Sequence, residues 1–222
     1  MLDYLPFVAA AFGIPQYVPQ ILKLRATGDT AGVSWAWATL TSVNNAAWFG
    51  YFMLSGYWTA SLPSTAASVL AATMSILLAR RGASTTRATA WILVWAAALL
   101  VALAVDGRAG LGTLLAAASI VQVTPSIWTA YRTTRPTGIS RGTWALVLGE
   151  LSCWLAFGLG KSDHRLIALG ATGATAAVLM LIQATRALIQ ATRAASIPGA
   201  PGVRRNLPKP ARPHVDLNQP SG

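Results

Sequence analysis

Long, nearly uncharged apolar runs govern what this chain can fold into. Seven can be drawn, over residues 4–24, 34–55, 59–79, 88–105, 109–131, 142–160 and 164–190. Each is close to the roughly 20 mostly apolar residues that a helix needs to cross the hydrocarbon of a bilayer. In lipid every backbone amide and carbonyl must be bonded within the protein, which leaves helices and closed barrels as spanning structures. Barrel strands are segments of about ten residues with alternating polarity. The runs here are longer and do not alternate, so the expected fold is an all-α membrane protein with seven transmembrane helices. Composition agrees: 10% of residues are charged, against about 25% in soluble domains.

The charges are mostly basic, and the formal net charge is +11. Such a balance invites a nucleic-acid reading. The basic residues, however, lie beside the apolar runs, where membrane topology puts them, so no nucleic-acid partner is expected. Counted at segment ends, fourteen of the 17 Lys and Arg fall on one side, among them Lys23, Arg25, Arg80, Arg81, Arg87, Arg132, Arg135 and Arg141. Arg108, Lys161 and Arg165 fall on the other. Cytoplasmic loops hold the excess of positive charge, which sets the N-terminus outside and the C-terminus in the cytoplasm. The basic loops act as topology determinants that touch anionic lipid headgroups. The preference for Arg over Lys and the abundance of Ala point to a bacterial plasma membrane. Cys153 is alone, so it has no intrachain disulfide partner, and its Leu-Ser-Cys-Trp-Leu setting makes it an inert helix residue. Asp3 stands where a signal peptide would carry basic residues, so no cleaved leader is expected. Residues 196–222, with six prolines and little to bury, read as a disordered cytoplasmic tail.

The chain also repeats itself. Sliding it by 106 residues without a gap sets Gln16 on Gln122, Pro19 on Pro125, Thr27 on Thr133, Trp48 on Trp154, Met74 on Met180 and Arg80 on Arg186. Gly32-Val33-Ser34 falls on Gly138-Ile139-Ser140. Over residues 10–80 there are 15 identities in 71 positions. The proportion is low, but prolines and tryptophans rarely coincide in one register. The repeat divides the chain into a first triple-helix bundle at 4–80, a linker transmembrane helix at 81–108 and a second bundle at 109–190. Three spans end on the side opposite to their start, so an odd spacer helix restores the orientation of the first copy. The two bundles are then parallel, related by an axis along the membrane normal. The spacer segment 88–105 carries Thr89 as its one polar side chain, which suits a helix facing lipid over much of its surface.

The stretch Val18-Pro19-Gln20-Ile21-Leu22-Lys23, with Thr27 and Gly32-Val33-Ser34 after it, resembles the PQ-loop superfamily, and within it the SWEET and SemiSWEET transporters. The second copy echoes it as Thr124-Pro125-Ser126-Ile127, Thr133 and Gly138-Ile139-Ser140, and Trp48-Phe49-Gly50-Tyr51 resembles the SemiSWEET second helix. The resemblance spans roughly residues 5–190. It implies a central pathway between two triple-helix bundles and facilitated movement of sugars by alternating access. It implies that Trp48 and Trp154 line a substrate pocket. The family's pocket Asn, sixteen residues past each Trp, is replaced here by Ser64 and Gly170. The second copy has Ser126 where the motif has Gln, and the prolines of the family's second helices are absent from 34–55 and 142–160.

Spacing adds its own chemistry. Asn44 and Trp48 are four apart and share a helix face, as do Glu150 and Trp154 at the matching positions. An aromatic face packs on the apolar side of a sugar ring, while a polar group one turn away bonds its hydroxyls. Glu150 is the one acid well inside an apolar segment. A charge there costs about 2.5–3.5 kcal/mol, which protonation, a partner or a wet cavity avoids. Glu150 is therefore expected to take up protons or bind substrate. Gln16 and Gln20 lie one turn apart, and Gln122 repeats the first; Gln16 and Gln122 are expected to line the pore. Pro19 and Pro125 each remove a backbone donor and, with Gln20 and Ser126 beside them, are expected to form gating hinges.

The expected substrate is a small polar solute, a sugar first, with an amino acid or another metabolite coupled to protons through Glu150 as the alternative. A seven-helix receptor or sorting protein is the alternative of another class. Retinal is excluded there, because Lys23, Lys161 and Lys209 all lie at segment ends or in the tail. Neither paired intramembrane acids nor a Ser/His arrangement points to an enzyme. His164 and His214 have no metal-ligand company, so neither a metal nor a cofactor is expected. Membrane lipids are expected partners, and homo-oligomerisation stays open.

Overall fold

The structure, a computed structural model, describes residues 2–27, 34–82, 85–132 and 141–195. The expected tail at 196–222 and most of the Gly-Val-Ser and Gly-Ile-Ser loops lie outside these residues. Every described element is helical. A 3-10 turn at Leu2–Tyr4 leads into α1 (Leu5–Gly13), and a second at Ile14–Gln16 leads into α2 (Val18–Thr27). Then come α3 (Trp35–Leu54), α4 (Trp58–Arg80), α5 (Thr86–Arg132), α6 (Arg141–Lys161) and α7 (His164–Ala195). Among the described residues, four stretches are long and apolar enough to cross a membrane: Trp58–Arg80, Ala88–Val121, Arg141–Lys161 and His164–Arg186. The described chain is thus all-helical and fits a membrane-embedded protein.

Differences from the seven expected segments have local causes. The first segment is broken. Pro15 has no N–H to give the Ala11 carbonyl, and Tyr17 N bonds Ile14 O in the tighter 3-10 pattern (3.1 Å). α3 is 20 residues long, but Thr39, Thr41, Ser42, Asn44 and Asn45 make it more polar than the four spanning stretches. The segments at 88–105 and 109–131 run together as α5, bent at Asp106 (φ −131°, ψ 20°) and Gly107 (φ 55°, ψ −141°). Glycine is the residue that takes such a positive φ without a side-chain clash.

α3 starts on Ser34, whose Oγ accepts from Trp37 N (3.2 Å), an N-cap. It stops in a left-handed Gly56 (φ 73°), with Gly56 N bonded to Met53 O (3.2 Å) and Tyr57 N to Phe52 O (2.9 Å). α6 stops the same way. Ser162 has φ 54°, its N bonds Leu159 O (3.2 Å), and Asp163 N bonds Gly158 O (2.8 Å). Both are Schellman caps, which satisfy carbonyls left open at a helix end. Each of the four positions in one cap lies 106 residues from its counterpart in the other.

Packing follows a pairwise plan. α3 lies on α4, tied by Thr39 Oγ1 to Ser75 Oγ and Ser42 Oγ to Ser68 O, both 3.0 Å. α6 lies on α7 with glycines at the crossing. α1 packs on α4 and α6, and α5 on α3 and α7. Arg165 of α7 reaches back to α5, its Nε donating to Ala109 O at 3.1 Å. The larger core cluster contains Ala9 and Leu115, Trp48 and Trp154, Tyr51 and Phe157, and Ala60 and Leu166. Each pair is separated by 106 residues. The same separation joins the buried pairs Leu24 and Ala130, Ala71 and Ala177, Met74 and Met180, and Leu78 and Ala184. By contrast the first half of α5 leaves Trp91, Leu93, Val94, Leu100, Val101 and Val105 exposed, as a lipid-facing helix would.

Candidate functional site

Where α3 and α6 come together, three aromatic rings form a layered stack. Phe52 lies 5.6 Å from Trp48 at 26° and 5.2 Å from Trp154 at 9°. Tyr51 and Phe157 meet the tryptophans edge-on, at 87° and 80°. Both tryptophans are buried, 8% and 6% exposed, and turn inward, so the structure brings this expected pair together. The ring between them was not singled out in the sequence. Phe52 has Gly158 as its repeat counterpart, so one ring fits where two would crowd. A Cβ at Gly158 would come within 2.7 Å of Ile167 N, so α7 occupies that space.

One turn earlier on α6, Glu150 accepts a hydrogen bond from Gln16 Nε2 at 3.0 Å. The same amide nitrogen lies 3.3 Å from Phe12 O. Room for the carboxyl comes from Gly13, where a Cβ would be 2.8 Å from Glu150 Cδ. The broken helix and its glycine therefore seat the one acid of α6. Asn44, at the matching position on α3, turns elsewhere. Its Oδ1 accepts from Trp95 Nε1 in the first half of α5 (2.7 Å), and it is buried.

Ser64 is buried on α4. Gly170 lies against the backbone of α6. A Cβ there would fall 2.4 Å from Leu155 N, so it serves the α6/α7 crossing in place of the pocket position the resemblance implies. The side chains of Pro19, Gln20, Gln122, Pro125 and Ser126 lie outside the described residues. The backbone is helical through Pro19 in α2 and through Pro125 in α5. The helix is interrupted at Ile14–Gln16, in the turn that precedes Pro19 and holds Pro15, whose counterpart is Val121.

Asp163, which joins α6 to α7, is buried although it is an acid outside any helix. Its Oδ2 accepts from Tyr51 Oη, and its Oδ1 accepts from Arg165 N (3.1 Å) and Leu166 N (3.4 Å). It caps α7 and ties it to α3. The signal was an acid immediately before an apolar run, the usual N-cap pattern. The repeat-related contact is Tyr57 against Phe157, edge-on at 5.5 Å. Beside them Lys161 Nζ meets Asp3 Oδ1 at 2.9 Å and lies over the Tyr57 and Phe157 rings at 5.9 and 5.7 Å. The hydrogen bond from Lys161, and then its charge, hold the Asp3 carboxyl below the usual carboxylate range. Among the described residues no group of His, Cys, Asp or Glu is placed to hold a metal. The assembled chemistry is a stack of aromatic faces, one carboxyl with an amide partner, and a polar latch at the end where α6 stops. No family model matches the chain, and no curated protein matches it significantly.

Proposed function

We propose that the chain is a membrane carrier that moves a small polar solute, a sugar first, between two parallel three-helix bundles. The first bundle holds α1 to α4, the second holds the later half of α5 with α6 and α7, and the early half of α5 links them. The main support is the inward stack of Trp48, Phe52 and Trp154 at the seam, flanked by core pairs and helix caps that recur at one spacing. Membrane carriers are often built from such repeats, with the solute site near mid-membrane at their interface.

In this arrangement the stack, the Tyr51–Asp163 bond and the Lys161–Asp3 pair close one end. By the positive-inside count that end faces outward from a bacterial plasma membrane. Transport requires the bundles to part there, the rings to slide off one another, and the solute to take their place. Aromatic faces suit the apolar side of a sugar, and Glu150 with Gln16 lies one turn away to bond its hydroxyls. A second reading, a proton-coupled carrier of an amino acid or other metabolite, is favoured by one observation: an acid seated in α6 whose hydrogen-bond partners, the Gln16 amide and the Trp154 side chain, are uncharged.

The test is uptake into proteoliposomes of labelled sugars and amino acids at two pH values, with Trp154→Ala and Phe52→Ala beside wild type. Saturable uptake of one class, lost in Trp154→Ala, is expected. No uptake of either class in folded protein would remove the carrier reading and favour a receptor or sorting role.

A further inference from the structure

A cleft of about 710 Å³ opens sideways between α3 and the two halves of α5. Trp37 and Leu40 of α3, Trp91 and Trp95 of α5, and Ala117 beyond the bend form its walls, and Asn44 lies furthest along α3. From Ala36 to Asn44 the cleft runs about 12 Å along the helix axis. Trp37 and Trp91 at the mouth are 52% and 71% exposed. Asn44 Oδ1 and the Trp95 indole N–H are already bonded to each other. What remains is apolar, and such a cavity does not hold water. Its α5 walls belong to Ala88–Val121, long and apolar enough to cross a membrane, so the medium at its mouth is hydrocarbon.

Charge at the helix ends beside the cleft selects among lipids. α3 and α5 both begin at this end, and α4 ends there in exposed Arg80 and Arg81. Arg87 falls in the first turn of α5, Lys23 and Arg25 lie on α2, and the one acid in the flanking segments is Asp29. A cluster of this kind at a membrane surface attracts anionic headgroups.

We infer that this cleft seats one anionic phospholipid. An acyl chain lies between Trp37 and Trp91 and ends at the Asn44–Trp95 pair, and the phosphate meets Arg80 and Arg81. The lipid pins the early half of α5 to α3 and steadies Asn44 from behind.

Native mass spectrometry of the full chain tests this, after exchange into micelles with phosphatidylglycerol and phosphatidylcholine in equal amounts. Wild type should retain one phosphatidylglycerol. Ala117→Phe fills the cleft and should abolish retention. Trp91→Ala, which removes an exposed wall and leaves the core intact, should weaken retention at an unchanged thermal midpoint. Replacing Arg80, Arg81 and Arg87 by Gln should cut the preference for phosphatidylglycerol by about fivefold per arginine while a chain is still held. The inference is overturned if wild type retains no lipid or shows no headgroup preference, or if retention is unchanged in both cleft variants. It is equally overturned if wild type is a dimer that Trp91→Ala separates, because a second copy then fills the cleft. The readout is lipid mass, so failure of solute uptake leaves it unaffected.

Discussion

Ser162 sits at φ 54°, where its repeat counterpart is Gly56. A side chain in the left-handed region costs about 1–2 kcal/mol, and Ser162 bears this because Asp163, next in line, must turn back to cap α7 and meet Tyr51. Ser162→Gly is expected to raise stability by up to about 1 kcal/mol, read as a higher thermal midpoint in detergent. Asp3 offers a pH test. Lys161 lowers its folded pKa, so the pair stabilises the native state above the ordinary carboxylate pKa of about 4. That stabilisation fades as pH falls through the lower folded value. Asp3→Asn should therefore melt slightly below wild type at neutral pH, and the two curves should converge in acid. At this scale the sequence was only partly legible. Trp48 and Trp154 announced themselves by recurring, whereas Phe52, which lies between them, does not recur. The tie from Asp163 to α3 was hidden because its partner Tyr51 is 112 residues away.

Helices were legible where length and apolarity decide, because those are properties of a continuous run. Their interruptions were not, because they depend on which carbonyl loses its donor and what fills the gap. Pro125 lies within helical α5, whereas the backbone leaves the α-helical pattern at Ile14–Gln16, which holds Pro15 and immediately precedes the turn of Pro19. There Gly13 and Gln16 meet Glu150 of α6, so a neighbouring helix supplies an acceptor and a reason for the irregular turn. Gly170 teaches the same lesson in reverse. It was read as a pocket position by its distance from Trp154, but it lets α7 approach the backbone of Leu155. Gly170→Ala should force the two helices apart and cost about 1–3 kcal/mol. A lowered thermal midpoint would show it, and an unchanged one would mean that the crossing is looser than drawn.

Across the whole molecule, the 106-residue spacing is visible in burial and cap geometry more clearly than in residue identity. Leu24 and Ala130, or Ala9 and Leu115, are different residues in equivalent buried places. The copies have diverged where chemistry is concerned: Asn44 turns to Trp95, and Glu150 turns to Gln16. If Glu150 takes up a proton during transport, Glu150→Gln should flatten the pH dependence of uptake while keeping the bond partner's geometry. Unchanged uptake from mildly acidic to mildly alkaline pH would exclude Glu150 from the cycle.

In the proposed carrier, the layering of Trp48, Phe52 and Trp154 bears on leakage as well as on solute. Rings stacked face to face leave no file of water molecules along which ions or protons could hop. A membrane crossed by this protein at rest would therefore keep its ionic gradients.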